Sequence, residues 1–447
     1  MMKNTHKRSL GGLALACLGL ATVLGLSACG GGGGGGGQQG APSAATTTPP
    51  ADTRETSVTP SNTVRWQGGG FDGIALAGIT QSSDGGVWAL GAEGGLYGQP
   101  FLRKIGGSNP CGADGQRFLS ELSTRFERRQ GPTALTTVQG GRFYAAFMGP
   151  GRVYVARLDE ASCGVDASFA DRGVLSFPVF GLVTVTNITV QRDKADGVLV
   201  AVSIPGQMLL RRFTGDGAWD GQFGTNGLAT NPNADSFWVD SLVVARNGDI
   251  LISGAVSIPF AFQPALLKLN SKGLPVSSFG TAGVQRFPSL SVGTGKTGTL
   301  LIEDDRVIVS VATGASVASE DFTTNDSEVA AIDLQTGQLK TTFGTGGFLR
   351  WDWGYSNTEA TAWWIPNGRG GYIGCGHVMK SLLLGQSVSL VDITANGLPD
   401  ASVGHQGRRL IAGTNSANCA GLLRMPDGRL AVAANDGGQA VVMFFDR

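Results

Sequence analysis

Phe279-Gly-Thr-Ala-Gly283 is one of five copies of a short phrase that decides the fold of this chain. The other copies are Phe169-Ala-Asp-Arg-Gly173, Phe223-Gly-Thr-Asn-Gly227, Phe343-Gly-Thr-Gly-Gly347 and a degenerate Val403-Gly-His-Gln-Gly407. Successive copies lie 54, 56, 64 and 60 residues apart. Self-similarity at such a period is the signature of a repeat architecture. We therefore expect each interval to form one structural unit.

The residues around each copy predict four β-strands per unit. An apolar strand such as residues 265–269 precedes the phrase, and a short strand such as residues 284–287 follows it. Two more strands flank an Asn-Gly or Asp-Gly pair, as in residues 242–252, and these pairs supply the positive φ angles of a tight hairpin. Four strands in about 55 residues are typical of a β-propeller blade. The repeat also resembles the delta-60 repeat family of bacterial propellers over nearly all of residues 62–447, which implies a fold and no particular function.

Seven such blades fill residues 62–447. This stretch has 386 residues, and we place the first strands of its blades near Ile79, Leu135, Ile188, Leu242, Leu300, Trp363 and Leu422. The last blade ends at residues 441–445 without a fourth strand, and Thr63-Val-Arg-Trp66 is similar to the fourth-strand sequence Phe348-Leu-Arg-Trp351. An open ring would leave sheet edges unpaired. We therefore predict an all-β, seven-bladed propeller closed by the N-terminal strand.

The N-terminus has the three parts of a secretory signal, which we assign to residues 1–28. Lys3, Lys7 and Arg8 precede an apolar stretch at residues 10–26 that is too short for a membrane span, and small residues follow it. Leu26-Ser-Ala-Cys29 resembles the lipobox of bacterial lipoproteins, which implies that Cys29 is acylated and holds the protein on a lipid bilayer. Gly30 after the cysteine implies, by the same resemblance, sorting to the outer membrane. The alternative is an ordinary signal peptide with a chance cysteine.

Residues 29–61 are expected to form a disordered tether. They begin with Cys29 and a run of glycines from Gly30 to Gly37, and Gln, Ala, Ser, Thr and Pro follow. A segment of this composition cannot bury enough apolar surface to fold. The predicted domains are therefore a signal peptide at 1–28, a tether at 29–61 and the propeller at 62–447.

Charge and cysteine content restrict the partners and the compartment. The whole chain has 34 basic and 34 acidic residues, so removal of the three signal-peptide cations leaves a net charge near −3. No basic block is present, which argues against nucleic acid as a partner. We expect a monomer.

Four cysteines remain in the propeller, and an exported protein can pair them. We predict the disulfides Cys111–Cys163, between matching loops of blades 1 and 2, and Cys375–Cys419. In the second pair, Cys375 is expected to end the second strand of blade 6 and Cys419 to precede the first strand of blade 7. The alternative is four free buried thiols. The spacing is unlike that of a zinc site, and we expect no metal and no cofactor.

The sequence shows no catalytic constellation. His6 lies in the signal peptide, so only His377 and His405 could serve a triad, and no nucleophile-elbow motif accompanies them. His405 falls inside the degenerate phrase, where a structural role is expected. His377 follows a predicted strand and could line a loop. We therefore expect a protein that is not an enzyme.

Aromatic and apolar residues in long connections of blades 4 to 6 are the candidate partner site. The predicted connections are residues 257–264, 313–328, 351–362 and 377–386, all on one face of the ring. The candidates, called here the loop-face sector, are Phe260, Phe262, Trp353, Tyr355 and His377. Exposed apolar patches mark interaction sites, whereas the alternative is that these side chains pack between blades.

The resulting hypothesis is an outer-membrane-anchored, non-catalytic propeller that binds a protein or a polysaccharide. Two alternatives stay open: a propeller enzyme acting on glycans as lyase or hydrolase, and an outer-membrane protein assembly factor. The central channel discriminates between binding and catalysis. Clustered Asp, Glu or His side chains at its mouth would favour an enzyme, whereas small and apolar side chains would argue against one.

Overall fold

The computed structural model describes residues 56–446, except for the segments 68–72, 95–97, 113, 124–131, 150, 180–186, 194–196, 205–206, 234–235, 259–260, 288–296, 313–326, 352, 354–358, 382–384 and 415. The predicted signal peptide, Cys29 and most of the predicted tether lie outside the described residues. The structure is almost entirely β, and its inner strands are buried along nearly their whole length, as at residues 198–204, because each sheet is covered on both faces.

The strands follow one another blade by blade. Before the first blade come β1 (Thr56–Val58) and β2 (Asn62–Gln67). Blade 1 has β3 (Ile74–Gln81), β4 (Val87–Glu93), β5 (Gln99–Ile105) and β6 (Gln116–Phe118), with a short helix α1 (Ser120–Ser123) after it. Blade 2 has β7 (Pro132–Leu135), β8 (Arg142–Gly149), β9 (Arg152–Asp159), β10 (Gly164–Val165) and β11 (Val174–Pro178). Blade 3 has β12 (Asn187–Arg192), β13 (Val198–Ile204) and β14 (Gln207–Phe213), and an isolated antiparallel bridge between Leu210 and Ala229 takes the place of its fourth strand.

The second half of the ring continues the pattern. Blade 4 has β15 (Phe237–Val244), β16 (Ile250–Ile258), β17 (Ala261–Leu269) and β18 (Val284–Arg286). Blade 5 has β19 (Thr297–Ile302), β20 (Arg306–Ala312), β21 (Ser327–Asp333) and β22 (Phe348–Trp351). Blade 6 has β23 (Glu359–Pro366), β24 (Tyr372–Ser381), β25 (Gly385–Ile393) and β26 (Arg408–Ile411). Blade 7 has β27 (Ala417–Arg424), β28 (Leu430–Asp436) and β29 (Gln439–Phe445).

Seven antiparallel sheets form a seven-bladed propeller, as predicted. All seven predicted first strands are confirmed, because each predicted residue falls in the first strand of its blade. We call the side that carries the strand 1–2 and strand 3–4 turns the turn face. The opposite side, which carries the strand 2–3 and blade-to-blade connections, is the loop face. No helix among the described residues is long and apolar enough to cross a membrane.

The N-terminal strand closes the ring at blade 7. β2 pairs antiparallel with β29, from Asn62 opposite Phe444 to Gln67 opposite Gln439, and so supplies the missing fourth strand. Trp66 is only 9% exposed and meets Phe101 of blade 1 edge to face, with ring centroids 6.4 Å apart. The closing strand therefore pairs with blade 7 and packs against blade 1 at the junction between them.

One part of the predicted tether is instead a strand. β1 pairs in parallel with β26 of blade 6, with Thr56 opposite Arg409 and Val58 opposite Ile411. The prediction of a tether up to residue 61 was therefore wrong for these residues. The physical reason is that β26 would otherwise be an edge strand with unpaired backbone N–H and C=O groups. Thr56–Val58 pairs with these groups.

The hydrophobic core lies between the blades. Seven buried clusters correspond to the seven junctions, each drawing residues from two neighbouring sheets. The phrase phenylalanines Phe169, Phe223, Phe279 and Phe343 are all fully buried within these clusters. The repeated phrase is therefore a device that holds one blade against the next.

Each intact phrase forms the same contact, which we call the phrase latch. The residue after the phenylalanine donates its backbone N–H to a carbonyl in the next blade's strand 3–4 turn, as Gly224 does to Lys272 over 2.7 Å. The ring of Phe223 packs on Gly273 of that turn, where a Cβ would lie 2.6 Å from a ring carbon and φ is +78°. Only glycine fits such a position. The latch joins blades 2–3, 3–4, 4–5 and 5–6.

The two disulfides join two of the three blade pairs that the latch does not, and β2 closes the third, between blades 7 and 1. Cys111–Cys163 links the strand 3–4 connections of blades 1 and 2, and Cys375–Cys419 links blade 6 to blade 7, as predicted. Blade 1 lacks the phrase, and the degenerate phrase at Val403 has no partner because blade 7 has no strand 3–4 turn. One positional detail was wrong: Cys375 lies within β24 and Cys419 within β27, so the second bond connects two strands directly.

Candidate functional site

The central channel is lined mainly by small, hydroxyl-bearing and apolar side chains. The first strands of all seven blades enclose a cavity of about 450 Å³. Its lining includes Thr80, Thr189, Leu300 and Trp363, and the one carboxylate among the described lining residues is Asp240. No described group of three or more His, Cys, Asp and Glu side chains could hold a metal ion. Among the described lining residues there is thus one carboxylate, where the usual arrangement for hydrolysis of a glycan uses two.

Bulges in the first strands explain how individual extra residues come to lie at this channel. Six of the seven first strands show a register shift against their second strand, among them β3 at Leu76/Gly78 and β15 at Val239/Ser241. A bulge inserts one unpaired residue and increases the local twist. At β15 the inserted residue is Asp240, which is how a carboxylate reaches the axis.

The predicted long connections on the loop face are mostly strand. β16 runs to Ile258 and β17 begins at Ala261, so only residues 259–260 connect them. β24 runs to Ser381 and β25 begins at Gly385, which leaves residues 382–384. The backbone pairing continues to these ends, with Phe262 opposite Ser257 and Met379 opposite Gln386. Residues 313–326 lie outside the described residues.

The loop-face sector does not form an exposed aromatic patch where it is described. Trp353 is 2% exposed and belongs to the core between blades 5 and 6, with the Arg408 guanidinium 5.7 Å from its ring centroid. Phe262 is half-buried, and its ring meets Trp238 edge to face at 5.6 Å. Trp353 therefore follows the packing alternative, and its burial leaves it no free ring face for a partner. Phe260 and Tyr355 lie outside the described residues.

His377 is a half-buried member of β24. It stands opposite Ala360 in one neighbouring strand and Val388 in the other. Burial lowers its pKa to about 4, because the charged form loses its hydration. His377 is therefore neutral near pH 7, and it stays a candidate for binding.

An exposed tryptophan on blade 3 marks a site that sequence reasoning missed. Trp219 is 53% exposed and lies in the strand 3–4 turn of its blade. With Arg211, Phe177 and Arg172 it lines a cavity of about 610 Å³ between blades 2 and 3, which we call the blade 2–3 groove. The Arg211 guanidinium stacks between the Phe177 ring at 4.9 Å and the Trp219 ring at 5.5 Å. Alignment of the repeats against one another was the signal that could have found this pair.

Several solved structures are similar to the chain at low sequence identity. Sqt1 from Chaetomium thermophilum, in a structure bound to the N-terminus of the ribosomal protein L10, is 12% identical over 83% of this chain and 84% of its own, with a TM-score of 0.46. The Dos1 propeller is 10% identical over 83% and 77%, with a TM-score of 0.44. Drosophila Semaphorin 1b, extracellular domains 1–2, is 10% identical over 87% and 88%, with a TM-score of 0.43.

No protein-family model matches the chain, and no curated protein is significantly similar to it. The structural likenesses concern the fold alone. Three features of the described residues bear on function: a channel lining with a single carboxylate, a loop-face sector that is buried or half-buried, and one groove with an exposed tryptophan beside a stacked arginine.

Proposed function

We propose that this protein is a non-catalytic binding scaffold held at the outer membrane through acylated Cys29. The composition of the central channel carries the proposal. Hydrolysis or elimination on a glycan needs convergent acidic or imidazole groups. The described channel lining has one carboxylate, Asp240, and no histidine. A rigid ring with one carboxylate in its described channel lining is suited to binding a partner at its surfaces.

The anchoring part of the proposal has three supports. The lipobox-like Leu26-Ser-Ala-Cys29 follows an n-region and an apolar stretch of the right kind. Two disulfides fit an oxidising compartment outside the cytoplasm. The chain enters the propeller at Thr56, opposite Arg409 at the turn-face end of β26. Residues 30–55, as a flexible chain, would span roughly 30 Å and hold the ring clear of the lipid headgroups.

Lipid attachment is tested by comparing two cysteine substitutions. Cys29→Ser should abolish acylation, which intact-protein mass spectrometry detects, and should release the protein from the outer-membrane fraction. Cys17→Ser is the matched control, because this residue lies in the expected signal peptide, and its mature form should keep the acyl chains. An unmodified mature Cys29 in the wild-type protein would overturn the anchoring proposal.

The binding part is tested with intact protein in outer membranes. Cross-linking followed by mass spectrometry, together with a glycan array probed with the purified protein, should identify a partner that the wild-type ring captures reproducibly. The same glycans, incubated with the protein, should release no new reducing ends and no unsaturated sugars. Such products, if lost on Asp240→Asn, would establish a propeller enzyme instead.

A further inference from the structure

Blade 3 departs from its sister blades at two positions that face each other. In blades 2 to 6 the strand 3–4 turn forms a bridge back to the third strand through Val165, Trp219, Pro275, Leu339 and Pro399. Each of these turn residues is bridged to a residue of the third strand. The third-strand residue two positions earlier is, in blades 2 to 6 respectively, Ala156, Arg211, Leu267, Ala330 and Val391. Four of the five are apolar. Blade 3 alone of these five combines an arginine with a tryptophan.

The arginine is desolvated without a counter-charge. Arg211 is half-buried between the rings of Phe177 and Trp219, and its Nε is buried with no hydrogen-bond partner among the described residues. Burial lowers the pKa of its guanidinium, although an arginine stays charged. A partly buried charge is costly unless it is paired. The arrangement therefore favours an anion beside the guanidinium, which no described carboxylate pairs.

The surroundings favour an anion that carries a ring. The cavity of about 610 Å³ is within the size range of small-ligand sites. Its rim has Arg172, which lies 3.4 Å from Asp171, and Arg152 donates to the Ser176 hydroxyl at 3.0 Å. The groove lining therefore has two cations, Arg172 and Arg211, and one carboxylate, Asp171. Trp219, with half of its surface exposed, offers an aromatic surface for stacking.

We propose that the blade 2–3 groove binds a uronic acid unit of an acidic polysaccharide. Arg211 pairs with the sugar carboxylate in a bidentate contact, and Trp219 stacks on the sugar ring. The proposal rests on the scaffold function proposed above and gives that scaffold a ligand class and a site. The site lies at the outer part of the junction between two blades, away from the central channel.

Calorimetric titration of the full mature protein tests the site with matched ligands. The probes are tetragalacturonate, its carboxyl-reduced neutral counterpart, and tetramers of mannuronate and hyaluronan. Tetraglutamate and inorganic phosphate serve as anions without a sugar ring. At least one uronate tetramer should bind, and the carboxyl-reduced counterpart should bind at least tenfold more weakly. Both non-sugar anions should be weaker by a similar factor.

Two variants copy residues that sister blades already hold at these positions, so the fold should tolerate them. Arg211→Leu reproduces Leu267 and Trp219→Leu reproduces Leu339, and each should lower uronate affinity at least tenfold. The melting temperature of Arg211→Leu should stay unchanged or rise, because a desolvated charge is replaced by an apolar side chain. Arg246→Leu removes a cation whose side chain is 91% exposed and is the control that keeps full affinity.

Each contrary outcome has a distinct meaning. Unchanged uronate affinity in Arg211→Leu, or a large loss of its stability, would overturn the site and make the stacked arginine structural. Equal binding of tetraglutamate would replace the glycan with an acidic peptide and overturn the ligand class. Failure of every uronate would overturn this proposal, whereas the cross-linking experiment decides the scaffold function independently.

Discussion

Removal of one disulfide should destabilise the ring by an amount that its loop length predicts. The perturbation is the pair Cys111→Ala and Cys163→Ala. The two residues are 52 apart in sequence, and Cys375 and Cys419 are 44 apart. In the chain-entropy model, closing loops of these lengths removes about 14 and 13 cal/mol/K from the unfolded chain, or about 4 kcal/mol each at 25 °C. Each double variant should therefore lose about 4 kcal/mol.

The location of the loss is as informative as its size. Guanidinium unfolding gives the free energy change, and hydrogen exchange shows which blades open. Because blades 1 and 2 share no phrase latch, their amides should exchange faster in the first double variant, while blades 3 to 6 stay protected. The second double variant, Cys375→Ala with Cys419→Ala, should show the same effect at blades 6 and 7.

Small losses would refute this reasoning. If both double variants lost under about 1 kcal/mol, the buried clusters alone would hold these junctions, and the loop-closure estimate would not apply. If hydrogen exchange rose equally in every blade, the disulfides would stabilise the ring as a whole. The idea that they substitute for the missing latches would then be wrong.

Three further perturbations have defined outcomes. Phe279→Ala should lower the free energy of unfolding by about 3–5 kcal/mol in chemical denaturation, because a fully buried ring is lost from a phrase latch. Val403→Phe should not raise the free energy of unfolding, since blade 7 has no strand 3–4 turn on which the new ring could pack. Deletion of residues 56–67 should lower the melting temperature of the whole ring. It should also expose β29, and limited proteolysis would detect that exposure. An unchanged melting temperature would contradict ring closure by β2. His377 has a pKa of about 4 in the folded protein against an ordinary 6.5, so the free energy of unfolding of the wild-type protein should fall by about 2–3 kcal/mol as pH falls from 6.5 through 4. His377→Gln should remove that part of the pH dependence. Parallel curves of unfolding free energy against pH for the two proteins would contradict this expectation.

Local sequence patterns predicted the architecture and the covalent links. The spacing of the phrase copies predicted seven blades, and Thr63-Val-Arg-Trp66 predicted the closing strand. Both disulfide pairs followed from the order of strands within blades, even though the positions assumed for Cys375 and Cys419 were off by several residues. Such inferences succeed because blades repeat, so residues at equivalent positions are neighbours by symmetry.

Exposure was the property that sequence could not predict. Trp353 reads as an exposed aromatic in a long connection, yet the neighbouring blade covers it. Trp219 lies in a strand 3–4 turn and is 53% exposed. Whether a side chain faces solvent depends on the adjacent blade and not on its own strand.

The sequence by itself therefore determined where the first strand of each blade lies, how many blades form and which cysteines meet. Only the tertiary structure decided that β1 pairs with blade 6, that the disulfides stand where the phrase latch is absent, and that Arg211 is stacked without a carboxylate. The physical reason is that periodicity and turn chemistry act within one blade. Burial and charge pairing arise between blades, where a side chain such as that of Arg157 or Arg212 meets a partner 58 or 59 residues away in the chain.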